Sequence, residues 1–548
     1  MRKSIIALAA ALLASPALSS TLVVHANGIQ SDTAGNIQRF TGLLIGDDGK
    51  VVQVLHAGEP LPKAAITVDA GGRTILPGMI DGHGHVTDLG FYALRLNVTG
   101  STSLADLQQR LRDYAATHPD VKWIQGGGWN QELWPTKKFP TAADLDAIVS
   151  DRPVVLERVD GHAYVVNSAA MRAAGITAAT LPPHGGEIHD GVFVDAAKQL
   201  IDAAIPKPTE AQLDEALAKS QEILLSVGVT GVGSMSTSIA DWQAFRRAGD
   251  AGHLDVRLMA YITAQQAAEA NIRPTGWLYG DRLRAVGVKL FADGALGSQG
   301  AWLKQPYADK PDSRGLQFHS DAELLALADR AAAAGFQIAT HAIGDAANAQ
   351  IIGVYEKLSK KYGTNRRWRI EHFQIVDPAD IPRLAPAGII ASMQPTHQTS
   401  DRLMAEARLG PNRLAGTYAW QSVLKSGAKL AFGTDFPVES PNPFPGLSAG
   451  ISRRDINGQP PGGWIPSERL TLGQAIRAYT RGAAYAGFAE DRIGALEPGK
   501  WADFIIVDRD PTKVDPQALA RTEVIETWVG GKKVWSRAAS SSPTERGL

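Results

Sequence analysis

The apolar run Leu76-Pro77-Gly78-Met79-Ile80 leads into Asp81-Gly82-His83-Gly84-His85, and four later β-like runs also end on a histidine, a lysine or an aspartate. Alternate residues of a strand share a face, so His83 and His85 project together from a strand end, either as half of a metal site or as polar residues that merely close the strand. The later runs are Val288-Lys289-Leu290-Phe291, Ala339-Thr340-His341, Arg369-Ile370-Glu371-His372 and Ala431-Phe432-Gly433-Thr434-Asp435. Helical stretches separate them. Strand, helix and strand in repetition require parallel pairing with crossover helices, and such a sheet gathers its strand ends on one face.

Local signals fill in this pattern. Ser320-Asp321-Ala322-Glu323 is a capping box opening a helix to about Ala334, followed by a strand from Gln337 to His341. Asp345 reads as the N-cap of the next helix. Strand ends fall near His85, Gly233, Tyr261, Lys289, His341, His372, Gln394 and Asp435. Eight is the number that closes a (β/α)8 barrel, in which catalytic residues stand at the C-terminal ends of the strands. The fold class is thus α/β, a TIM-like barrel over residues 76–489. A ninth β-like run, Pro153 to Asp160, falls in an insertion at about 102–206 between the first two barrel strands. That position emerges on the active-site face. The insertion carries Trp123, Trp129, Trp134 and His162 and is expected to roof the pocket; the alternative is a peripheral subdomain whose aromatics are its own core.

Short β-rich runs occupy residues 21–75 and 490–537, the latter with a hairpin around Gly530-Gly531. Residues 538–548 read as a loose tail. The first twenty residues have basic Arg2 and Lys3, an apolar stretch from Ile5 to Ala14, and small residues through Ser19 and Ser20. This is the order of a secretory signal peptide, cleaved near Ser19 or Ser20, and the run is too short to span a bilayer. The expected address is the periplasm or the exterior. The chain has no cysteine, which removes a lipid anchor, disulfides and thiolate ligands. Its formal net charge of -1 gives no footprint for nucleic acid. A small-molecule substrate is the expected partner.

The ordered set His-x-His, Lys, His, His, Asp resembles the amidohydrolase superfamily with a binuclear metal centre. Further motifs resemble its YtcJ-like branch, amidohydrolase family 3, which includes N-substituted formamide deformylases. They are Gly126-Gly127-Gly128-Trp129-Asn130, Lys289-Leu290-Phe291-Ala292-Asp293-Gly294-Ala295-Leu296-Gly297-Ser298, His341-Ala342-Ile343-Gly344-Asp345 and Met393-Gln394-Pro395-Thr396-His397. The resemblance runs from about Leu22 to about Asp510. Two departures stand out: Gly231-Val232-Gly233-Ser234-Met235 replaces a common His-Asp pair, and Thr434 replaces the commoner serine before Asp435.

The resemblance implies that both chain ends form one small β-sandwich domain beside the barrel, and that two divalent metals are bound. His83, His85 and Asp435 would hold one, His341 and His372 the other, with a CO2-derived carbamate on Lys289 bridging both. Imidazole and carboxylate suit zinc, although ligand type alone leaves Mn²⁺, Fe²⁺ and Co²⁺ open. For Lys289 the alternative is a plain salt bridge to Asp293. Asp435 is the expected proton carrier for a metal-activated water that cuts an amide or formamide C–N bond. Trp129, His162 and His397 are the expected substrate contacts, and Asp293 and Asp345 are expected to support the site. A homodimer is a family-level expectation. Esterase or lactonase activity on the same site, and a non-catalytic binding or regulatory protein on the same barrel, are the competing readings.

Overall fold

The computed structural model describes residues 20–538, so the expected leader and nearly all of the expected tail lie outside the described residues. Eight parallel strands form one sheet in chain order: Met79–Gly84, Val229–Thr237, Arg257–Thr263, Leu283–Phe291, Gln337–Ala342, Arg369–His372, Ile390–Met393 and Lys429–Phe432. This is the expected barrel. The first and eighth strands share no ladder. Their seam is closed just beyond the strands, where the amide of Asp435 donates to the His83 carbonyl (2.8 Å) and that of His85 to the Phe436 carbonyl (2.8 Å). The buried Asp81 carboxylate adds bonds from the Thr434 amide (3.1 Å) and hydroxyl (2.7 Å). Threonine in place of serine therefore keeps a hydroxyl that has work to do in the seam.

Away from that seam the barrel is filled by Ile80, Met235, Met259, Tyr261 and Val286, packed on Ala483, Ala484 and Ile493 from the chain that follows the eighth strand. Burying each such side chain stabilises the fold by about 1.5–3 kcal/mol. The helices close the outside. The one after the first insertion, Glu210–Ser226, opens with a capping box of Thr209 and Gln212 and lays Leu217, Leu224 and Leu225 into the main core. Helix Asp321–Ala333 is capped by Ser320 and Glu323 as its sequence indicates. Gly344, rather than Asp345, is the N-cap of Asp345–Tyr362; Asp345 is its first residue and accepts the Lys304 amide at 2.8 Å.

The chain ends meet in one six-stranded sheet, whose order is Lys532–Ser536, Val524–Val529, Phe504–Val507, Thr74–Pro77, Asn27–Ser31, Ile37–Phe40. A four-stranded sheet from residues 21–69 accompanies it, and Val23, Leu43, Ile45, Ile75, Phe504 and Trp528 share a core. A fork of two bonds fastens this unit to the barrel: Arg257 on the third barrel strand donates to Asp503 at 2.6 and 2.9 Å, both side chains buried.

The insertion has its own six-stranded sheet, and the run Val154–Arg158 belongs to it. It begins earlier than the expected residue 102, because the first crossover helix ends at Leu94 and Leu96–Asn97 already pairs with Ile124–Trp129.

Candidate metal centre

His83 and His85 leave the first strand with ring centroids 5.5 Å apart. Their Nε2 atoms lie 3.3 and 3.1 Å from Oδ1 of Asp435, and one ligand atom from each of the three residues falls within 4.8 Å of the others. The other nitrogen of His83 is committed: Nδ1 meets Oε2 of Glu371 at 2.7 Å, with both side chains fully buried. Glu371 is in turn gripped by Arg369 at 2.7 and 3.0 Å. A carboxylate on Nδ1 fixes the tautomer and leaves the Nε2 lone pair for a metal. Burial pulls the His83 pKa down to about 4, so the ring is neutral, as a ligand must be.

A second group comprises His372, His397 and Asp435. Nδ1 of His372 bonds to Oε1 of Gln394 (3.0 Å), which leaves its Nε2 free. The His341 ring packs on that of His372 at 4.6 Å, with its Nε2 turned toward the Gly294 carbonyl (3.4 Å), so Nδ1 is its available donor. Burial holds both rings far below the usual histidine range. His372 and Asp435 have φ of +73° and +61°, a left-handed backbone that costs such residues about 1–3 kcal/mol each and is retained where it aims side chains at a site.

Lys289 is 3% exposed, with Nζ 3.2 Å from Nε2 of His83. It stands two residues inside its strand, which continues to Phe291. Burial lowers its pKa to about 8. The salt bridge to Asp293 is not formed. That carboxylate takes the amides of Trp302 (2.8 Å), Ile343 (3.0 Å) and Gly344 (2.8 Å), and burial raises its pKa to about 7. Asp435 is the opposite case: burial opposes its charge, but His83, His85 and His372 outweigh it and hold the carboxyl well below the ordinary range.

A cavity of about 860 Å³ opens over these residues, roofed by the insertion. His162 lines it, with Nδ1 2.6 Å from Asp195 and its ring 5.2 Å from that of His341. Burial pulls the His162 pKa down, yet Asp195 outweighs burial and the net shift is upward. His397 also lines the cavity. Trp129 does not, which corrects its assignment as a substrate contact. It is wholly buried in the insertion's own core with Trp134, and its indole N–H donates to the Leu156 carbonyl (2.8 Å). Ser236, in the second barrel strand, lines the cavity.

Sequence reasoning passed over Glu371 and Arg369 as functional residues. The signal was present: two opposite charges two residues apart, hence on one face, inside a four-residue strand bounded by a ligand histidine. Asp401 and Glu439 also line the cavity and carried no such signal.

The donor set fits divalent metal ions. Buried His83, His341 and His372, held in the neutral form and each with one nitrogen turned to a neighbouring group, lie with part-buried His85 around an ionised carboxylate, and nitrogen with oxygen donors is the chemistry of zinc and its neighbours. His83, His85 and Asp435 would hold one ion.

Comparison with known proteins agrees. Residues 67–535 match the model of the amidohydrolase family. YtcJ of Bacillus subtilis, named as an amidohydrolase, is 32% identical over 86% of this chain and 90% of its own. The N-substituted formamide deformylase of Arthrobacter pascens is 26% identical over 88% of this chain and 92% of its own. The crystal structure of an uncharacterized metal-dependent hydrolase from Pyrococcus horikoshii superposes with a TM-score of 0.73 at 28% identity, covering 91% of this chain and 99% of that one. The chain is a member of the amidohydrolase family, built as a metal-dependent hydrolase.

Proposed function

We propose that this protein hydrolyses a carbon–nitrogen bond, an amide or formamide of a small molecule, outside the cytoplasm. The observation that carries the reading is the buried Asp435 carboxylate, which has nitrogens of four histidines, His83, His85, His372 and His397, within 4 Å. Similarity to a formamide deformylase supports the bond class. Bound divalent ions, two of them and zinc by ligand preference, supply an acidified water and a polarised carbonyl.

The side chains do the rest. His83 and His85 with Asp435 would hold one ion, His341 and His372 the other. Lys289 would serve as a carbamate: burial favours its neutral amine, and neutral amine adds CO2 with loss of one proton to give an anion. Asp435, kept ionised, takes the proton released by the attacking water and returns it to the departing nitrogen. Export rests on the basic, apolar, small-residue order of the first twenty residues.

The test is a panel of matched formamides, amides and esters offered to metal-loaded protein, repeated after chelation. Chelator-sensitive hydrolysis of a formamide or amide is expected; turnover of esters alone would transfer the site to the esterase reading. N-terminal sequencing of protein from separated compartments tests export, for which a mature chain beginning near Ser20 is expected.

A further inference from the structure

The cavity is far more acidic than the chain. Nine carboxylates and three lysine or arginine side chains line it; setting aside Asp435 and Lys289 leaves eight against two, in a protein whose formal net charge is -1. Four of the eight are answered locally: Glu132 by Arg408 (3.0 Å), Glu157 by Lys198 (2.6 Å), Asp195 by His162 (2.6 Å) and Asp160 by Arg158. Asp88, Asp202, Asp401 and Glu439 have no lysine or arginine within 4.0 Å among the described residues. Fields of one sign focused by a low-dielectric cleft select the charge of what enters.

Asp88 lies by His85 (3.9 Å), and Asp401 and Glu439 lie together on the His397 side of the centre. Asp401 lies on helix Pro395–Leu409, which follows the seventh strand, and Glu439 lies four residues beyond Asp435. Their protein partners are neutral. Asp401 accepts from Gln374 (2.9 Å) and Tyr418 (2.8 Å), and Glu439 from Ser400 (2.5 Å). Such donors orient the carboxylates, and burial pushes both carboxyls up from the ordinary range against the pull of His397 on both and of Arg158 on Asp401. His397, already grouped with His372 and Asp435, sits beside them. His397 is 8% exposed, and its Nε2, 3.8 Å from Asp435, has no hydrogen-bond partner. A buried polar atom without a partner marks a place where a ligand group is missing. Leu296, Phe318 and Met404 supply apolar wall to the cavity.

We propose that the substrate carries a positive charge, an ammonium or guanidinium beyond the scissile carbon–nitrogen bond, and that Asp401 and Glu439 receive it. This rests on the hydrolase reading of the same site and narrows it: anionic substrates are repelled, and an apolar linker between the charge and the reacting bond lies along Leu296, Phe318 and Met404.

The experiment compares three formamides of similar length on metal-loaded protein: N-(4-aminobutyl)formamide, N-pentylformamide and N-(4-carboxybutyl)formamide. The ammonium compound is expected to exceed its neutral counterpart in kcat/KM by at least about tenfold, the size of one hydrogen bond to a charged group, and the carboxylate to fall below both. In the Asp401→Asn/Glu439→Gln double variant the ammonium-to-neutral ratio should fall toward one, chiefly through KM, with bound metal unchanged. Formamide turnover with a ratio of one or less in the wild type overturns the proposal while sparing the hydrolase reading, and loss of metal in the double variant overturns it by making the two carboxylates supports of the centre. If none of the three is hydrolysed, the hydrolase reading fails on these compounds, and calorimetry with pentylamine against pentanol decides this one. Tighter binding of the amine that disappears in the double variant sustains it; equal binding rejects it.

Discussion

Nδ1 of His83 and Oε2 of Glu371 lie 2.7 Å apart, and neither side chain is exposed to solvent. The pair couples a proposed metal ligand to a buried Arg369 that also bonds to Tyr261 (2.8 Å) and to the Gly82 carbonyl (2.7 Å). Glu371→Gln keeps the shape but weakens the grip on the imidazole proton, so metal affinity should fall about 10- to 100-fold. Titration of the metal-free variant with zinc measures it. Glu371→Ala should instead lower stability by about 3–5 kcal/mol, because it strands the Arg369 charge.

Asp435→Asn removes the proton carrier while keeping an oxygen donor. Turnover should drop by about 10²–10⁴ with folding intact, as judged by the circular dichroism spectrum. A variant retaining more than a tenth of wild-type kcat would exclude Asp435 from proton transfer.

Lys289→Ala separates a bridging carbamate from a passive buried lysine. Metal per chain and activity should fall together, and acetate or propionate should restore part of both by placing an anion in the vacated space. Unchanged metal content with substantial turnover would reject the carbamate.

The roof supplies a pH test. His162 has a raised folded pKa, so the stability it contributes through Asp195 is fully present below its unfolded value of about 6.5 and is lost as pH rises through the folded value. Asp195→Asn should therefore destabilise the protein more at pH 6 than at pH 9. Thermal midpoints of wild type and variant at the two values give the comparison, and a gap that widened with pH would contradict the assigned pair.

The barrel was legible because its signals are local. A capping box at Ser320, an apolar run before His341 and a Gly-Gly turn at 530 each act within a few residues. Side-chain direction was less so. Trp129 stands in a Gly-rich motif and looked like a pocket residue, but its burial depends on packing with Trp134, Leu145 and Phe139, residues of other elements. The left-handed turns at His372 and Asp435 are equally silent, since neither residue type announces positive φ. Asp401 and Glu439 escaped notice for the same reason: their lack of counter-ions is a fact about neighbours, fixed only when the seventh and eighth strands lie side by side.

The seam between the first and eighth strands bears on when this protein acquires its metal. His83 and His85 stand on one side of that gap and Asp435 on the other, 350 residues later in the chain, and backbone bonds across the gap position all three. No nascent or partly folded chain has this set of donors together, because the last strand must dock before the third ligand arrives. A complete donor set therefore exists only once the barrel has closed, and its nitrogen and oxygen donors discriminate only weakly among first-row dications.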